Sequence, residues 1–236
     1  SLLSQGQFPI NIKWILEGEE EIGSPSMDTF LEEHTDLLSC DISLNLDCGM
    51  IACDSPTITY ALRGLAYFEI LISGPKADLH SGLFGGVVHN PAQILAELIS
   101  GMHNKDGRVT LPGFYDNVRP LEAEERVDLS RLPLDESFYL SQSGAPQLWG
   151  EKGYSPVERI GARPTLDING LFSGYTAAGA KTIIPSTATA KLSMRLVPDQ
   201  TPDEIENLLT DYFNKNTPPT VRWDLITHAK GNASIT

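Results

Sequence analysis

The sequence predicts an α/β protein in two parts, an α/β segment first and then an α+β layer whose helices cover an antiparallel sheet. Three observations carry this reading. The apolar run Ile10 to Leu16 ends in the acidic run Glu17-Gly18-Glu19-Glu20-Glu21, and a helical pattern and a second apolar run follow. After Pro56, β-branched and aromatic residues dominate. Near the other end, Ala188 to Val197 alternates apolar and polar residues and leads into an amphipathic helix.

Ile10 to Leu16 reads as a strand, Ser24-Pro25 as an N-cap with proline in the first turn, and Met27, Phe30, Leu31 and Leu38 as the stripe of a helix from 25 to 38. Asp41 to Leu46 reads as a second strand ending at Asp47. In α/β proteins functional groups collect at the carboxyl ends of strands, and Glu20, Glu21 and Asp47 fall there. Thr57 to Leu62 and Leu65 to Ser73 read as strands, with a bend or bulge at Arg63-Gly64. A glycine-rich loop, His80 to Gly86, leads to Asn90-Pro91, which opens a helix with Ile94, Leu95, Leu98, Ile99 and Met102 on one face.

The stretch from about 105 to 170 is rich in Pro, Gly and acidic residues. It is too long for a simple linker and reads as an ordered insertion with short helices around Glu122 to Val127 and Asp135 to Gln142. In Ala188 to Val197 the polar face carries Lys191, Ser193 and Arg195. Thr201-Pro202-Asp203-Glu204 has the pattern of a capping box, Ile205, Leu208, Leu209, Tyr212 and Phe213 form the stripe of the helix it starts, and Val221 to Thr227 is a last strand.

Composition narrows the function. With 236 residues, 41% of them apolar, the chain can bury a core. Its 31 acidic and 17 basic residues give a net charge of -14, which argues against a nucleic-acid backbone or an anionic membrane as partner. No run reaches the roughly 18 to 20 apolar residues of a membrane span. Cys40, Cys48 and Cys53 are too few for a disulfide framework and lack zinc-site spacing, so they read as free structural thiols in a reducing, cytoplasmic compartment, Cys48 and Cys53 among strand-like residues where a buried thiol is ordinary. The chain begins Ser1-Leu2-Leu3 without an initiator Met, which leaves an upstream segment open.

Four carboxylates directly after an apolar strand are either a solvated helix approach or a catalytic edge. Metal-assisted hydrolysis needs one carboxylate to ligate metal and a second to move a proton, which an adjacent pair supplies. Asp47 is either a surface turn residue or one wall of such a site, and a lone histidine such as His80 is more often structural than functional. The run Gly174 to Thr182 lacks the GK[ST] of a phosphate loop, and HExxH, EF-hand and GxSxG patterns are absent.

The run Glu17-Gly18-Glu19-Glu20-Glu21-Ile22-Gly23-Ser24 resembles the EGxEExGS signature of the M20 metallopeptidase family. Four more stretches resemble its carnosinase and dipeptidase-like branch in the family's order: Thr57 to Tyr60 with Arg63-Gly64; Asp78 to Gly82 with Phe84-Gly85-Gly86; Arg163 to Gly170; and Lys181 to Pro185 with Ser193 to Pro198. The resemblance implies that Glu20 is the general base and acid, and that Glu21 and Asp47 are ligands of two divalent metal ions, zinc or manganese. It implies that His80 steadies the scissile carbonyl in a partner subunit's site, that Arg195 grips the substrate carboxylate, and that Thr182 and His228 add substrate contacts.

The family's HxD segment, its bridging Asp and its distal His have no counterpart here. The resemblance therefore implies a partial catalytic domain over 1–56, a lid and dimerisation domain over 57–229 with the insertion at about 105–170, and a stub of returning catalytic domain at 230–236. The expected activity is amide hydrolysis of dipeptides or short peptides by a homodimer, with this polypeptide alone inactive. The alternatives are an N-acyl amino acid deacylase, which the insertion disfavours, and a non-catalytic dimerisation module.

Overall fold

The computed structural model of the protein describes residues 10–44, 49–51 and 53–235. The chain divides into two compact units, Ser1–Gly49 and Met50–Thr236. Among the described residues no helix is long and apolar enough to cross a membrane.

The first unit departs from expectation. Residues 10–16 enter no ladder, and Trp14 and Leu16 are 75% and 92% exposed. A strand exists only where a partner satisfies its backbone, which an apolar run alone does not ensure. Residues 41–44 also lie outside any strand, and 45–46 fall outside the described residues.

The expected helix over 25 to 38 becomes two short pieces, α1 (Met27–Glu33) and α2 (Thr35–Leu38), divided at His34. Ser24 is not the cap. Gly23 and Ser24 have left-handed φ of 86° and 53°, so the chain reverses there, and the Ser26 amide donates to the Glu19 carboxylate at 3.3 Å.

The second unit is built on a four-stranded antiparallel sheet ordered β4-β6-β2-β7, from β2 (Gly64–Ser73), β4 (Thr165–Ser173), β6 (Thr187–Leu196) and β7 (Arg222–Gly231). The small pair β1 (Ala61–Leu62) and β8 (Ser234–Ile235) extends it at one end. Burial alternates along β2 and β6, so Ala66, Phe68, Ile70 and Ile72 face the core with Ala190, Leu192, Met194 and Leu196.

Helices α4 (Pro91–Ser100) and α8 (Pro202–Asn216) cover that face. Each starts as its sequence dictates. The Asn90 side chain accepts from the Ala92 amide before Pro91, and Thr201 and Glu204 form a reciprocal capping box. Burying Ile94, Leu95 and Leu98 from α4 and Ile205, Leu209 and Phe213 from α8 stabilises the layer by about 1.5–3 kcal/mol per side chain.

Two strand expectations change, and strand β4 was not expected. Of Thr57 to Leu62 only β1 is a strand. Strand β4 has no clean alternation because its register slips between Ile168 and Gly170. At Arg63-Gly64 the strand is interrupted, Arg63 lying in neither β1 nor β2, but there is no bulge: Leu62 faces Ser234 and Leu65 faces Gly231 without a register shift. Glycine is needed at 64 for close approach, since a Cβ there would lie 2.6 Å from the Gly231 carbonyl oxygen and 2.7 Å from the Ala233 amide nitrogen. Gly64→Ala is therefore expected to cost about 1–3 kcal/mol by forcing backbone apart, read as a lower urea midpoint at unchanged m-value.

The insertion is ordered. It contains α5 (Ala123–Ser130), α6 (Glu136–Ser143) and a third helix that the sequence did not suggest, α7 (Pro156–Gly161). Val109, Leu111 and Phe114 anchor its start in the core. The buried Arg163 forks onto the buried Glu151 carboxylate at 2.7 and 3.0 Å, and Arg108 reaches the same carboxylate at 2.5 Å. Guanidinium and phenol rings alternate around this pair. Arg108 stacks over Tyr115, Arg163 approaches both Tyr115 and Tyr154, and Arg126 approaches Tyr154, with centroid distances of 4.0 to 5.1 Å.

Candidate functional site

Two predicted residues 102 positions apart are brought together. The two-residue strands β3 (Leu79–His80) and β5 (Ile183–Ile184) pair with His80 opposite Ile183. Asp78 braces the pair by accepting from the Ser186 amide at 2.8 Å and the Ser186 hydroxyl at 3.0 Å. His80 then caps the one-turn α3 (Ser81–Phe84), its Nδ1 accepting from the Gly82 amide at 2.9 Å, and its Nε2 lies 3.2 Å from the Thr182 hydroxyl. With Nδ1 accepting, Nε2 is the ring nitrogen left to donate. His80 and Thr182 are both exposed, so this paired donor group faces outward.

Arg195 and His228 lie on the face of the sheet opposite the helices. Arg195 is exposed and stands between Leu65 and Thr165 in register. His228 is the extra residue where the β2–β7 register shifts between Tyr67 and Phe68, and bulges of this kind re-aim a side chain. Its Nε2 donates to the Glu69 carboxylate at 3.0 Å, Lys191 approaches the same oxygen at 3.8 Å, and Tyr67 packs edge-on against the imidazole.

Glu20 and Glu21 open a 3-10 turn, Glu20–Ile22, in the first unit, and both are exposed. The nearby cleft of about 500 Å³ is mainly apolar, lined by Trp14, Leu16, Met27, Phe30, Leu37 and Leu38 with Glu17 and Glu19 at its edge. Asp47 lies outside the described residues, as does Cys48. Cys40 and Cys53 are free thiols, and both are exposed; the burial expected for Cys53 does not occur, and Cys53 itself lies in a turn. Among the described residues no group of three or more His, Cys, Asp or Glu side chains is placed to hold a metal ion. The described Glu20 and Glu21 do not by themselves make up such a set.

Two residues of the open face escaped the sequence reading. Glu69 is the one acidic residue in an otherwise apolar and aromatic strand, a signal visible in GLAYFEILIS. Arg63 was read as part of a bend or bulge and of a family-like stretch, with no role of its own. Its Nη1 is buried and has no hydrogen-bond partner among the described residues. Burial, and then the charge of Arg195, lowers its pKa, while Asp167 acts in the other direction.

Residues 60–221 match the Peptidase dimerisation domain of the M20 family. The human Beta-Ala-His dipeptidase is 32% identical over 88% of this chain and 42% of its own length. The Cys-Gly metallodipeptidase of Schizosaccharomyces pombe is 31% identical over 88% of this chain and 44% of its own. The chain thus spans less than half the length of these curated relatives. An M20 family metallo-carboxypeptidase from Sulfolobus solfataricus superposes with a TM-score of 0.82 at 33% identity, over 99% of this chain and 52% of the other. The sequence signatures, the sheet with its two covering helices and these matches lead to one conclusion: the chain belongs to the M20 peptidase family, in its carnosinase and dipeptidase-like branch.

Proposed function

We propose that the complete gene product hydrolyses the amide bond of dipeptides or short peptides. The observation that carries this reading is the meeting of His80 and Thr182, an imidazole Nε2 beside a hydroxyl, in a chain of the dipeptidase-like branch. Such donors stabilise the negative charge that develops on a carbonyl oxygen, and they matter most where that charge is largest. In this reading His80 and Thr182 serve the scissile carbonyl, Arg195 takes the terminal carboxylate, and His228 adds a contact on the same sheet face. Glu20 takes a proton from the attacking water and returns it to the leaving nitrogen.

The proposal assigns two divalent metal ions, zinc or manganese, to the complete gene product, with Glu21 and Asp47 among their ligands. The 236-residue chain by itself binds metal weakly and is inactive. Turnover of a dipeptide by this purified chain with added zinc or manganese contradicts that part of the account.

His80→Ala in the complete gene product is expected to lower kcat by about 10²–10³ with a small change in KM, measured by release of free amino acid. An unchanged kcat removes His80 from the reaction. The proposal also includes a homodimer formed through the lid, in which His80 serves the neighbouring subunit. Leu171 and Phe172 on the outer strand β4 are exposed and suit such contact. Sedimentation at micromolar concentration is expected to give twice the chain mass, and a concentration-independent monomer counts against the dimer. The free thiols Cys40 and Cys53 accord with a reducing, cytoplasmic setting, which also belongs to this proposal.

A further inference from the structure

The open face of the sheet holds two arginines that the fold leaves without an acid. Neither Arg63 nor Arg195 has a carboxylate within 4.0 Å among the described residues, although the chain carries 31 acidic residues against 17 basic ones. Arg108, Arg126 and Arg163 of the insertion are all paired.

Register places the two side chains together. Leu65 faces Arg195 across the β2–β6 pair, and Arg63 lies two residues before Leu65, in the break between β1 and β2, where the unshifted register against the returning chain keeps it on the same face and the charge of Arg195 acts on it. Arg63 is therefore the diagonal cross-strand neighbour of Arg195, a relationship that brings Cα atoms to about 7–8 Å and long side chains within reach. Two like charges so placed repel. A buried Nη1 without an acceptor adds the cost of an unmade hydrogen bond to a charged group. Asp167 works against the repulsion without cancelling it, and an anion on this face would offset it further.

We propose that Arg63 is a second guanidinium of the carboxylate-binding site and that, with Arg195, it takes the free carboxylate of the substrate's leaving residue. This rests on the role given to Arg195 above. Partial burial holds Arg63 in place before the ligand arrives, so less side-chain freedom is lost on binding than for an exposed arginine. The consequence is specificity. Peptides whose terminal carboxylate is blocked as an amide leave both guanidinium groups unpaired and are rejected.

The test is an NMR titration of the 236-residue chain with millimolar Gly-Gly and, at equal ionic strength, Gly-Gly amide, following the side-chain Nε–H signals of Arg63 and Arg195. The assignments come from Arg63→Lys and Arg195→Lys. Both signals are expected to shift with Gly-Gly and to stay in place with the amide. A shift of Arg195 alone overturns the role of Arg63 and leaves the reading of Arg195 intact. Absence of any shift, or equal shifts with the amide, overturns the carboxylate site as a whole. In the complete gene product Arg63→Met is expected to raise KM for a dipeptide at least tenfold with little change in kcat. An unchanged KM rejects the proposal independently, and the wild-type titration decides the matter should the variant fail to fold.

Discussion

Glu151→Ala is expected to destabilise the second unit by about 3–5 kcal/mol, because it leaves a buried guanidinium without its partner. The Glu151 and Arg163 side chains are only 5% and 6% exposed, and the Arg163 fork donates two hydrogen bonds to the carboxylate while Arg108 donates a third. Removing the acid leaves Arg163 between two phenol rings with no anion, next to a second guanidinium. Calorimetry would read the loss as a midpoint lowered by roughly 10 °C, taking about 2–4 °C per kcal/mol for a chain of this size. Replacing the whole group with apolar residues of matching volume should cost far less, since a buried ion pair is much more expensive to break than to substitute. A Glu151→Ala protein that melts with the wild type would show that the insertion is held by its apolar anchors alone.

Glu20→Gln in the complete gene product is expected to reduce kcat by about 10²–10⁴, the range that a positioned proton-transfer group supplies. The amide keeps the size of the carboxylate and cannot accept the proton, so KM should change little. Steady-state kinetics with a dipeptide checks this. A modest loss of kcat with a large rise in KM would instead make Glu20 a binding residue.

How much of this was legible depended on whether a signal was local. Helices α4 and α8 announced themselves through Asn90-Pro91 and the Thr201 to Glu204 box, because capping and the apolar stripe are written within a few residues. Strand β6 was equally plain, its alternation set by one face on the core and one open. Ile10 to Leu16 looked as good a strand as any, yet strands are made by partners, and no described residue pairs with it. Strand β4 hid behind Asn169-Gly170, where the slipped register breaks the two-residue period.

The candidate site divided in the same way. The residue types at Glu20, Glu21, His80 and Arg195 could be read in the motifs, while the meeting of His80 with Thr182 depends on two-residue strands too short to leave a pattern. The pairing of His228 with Glu69 depends on a bulge that no spacing announced. Arg63 carried no functional signal of its own because it lies in the break between β1 and β2; the register that runs on across that break returns its side chain to the face that Arg195 occupies.

Amide hydrolysis of substrates with a free carboxylate is the centre of the account, and the most direct measurement is a profile of the complete gene product, supplied with zinc or manganese, against dipeptides, their C-terminal amides and N-acyl amino acids. The predicted result is rapid cleavage of dipeptides, little of their amides, and slower cleavage of N-acyl amino acids. Preferred cleavage of N-acyl amino acids would make the protein a deacylase, and absence of cleavage of all three classes by a folded, metal-supplied protein would contradict the account.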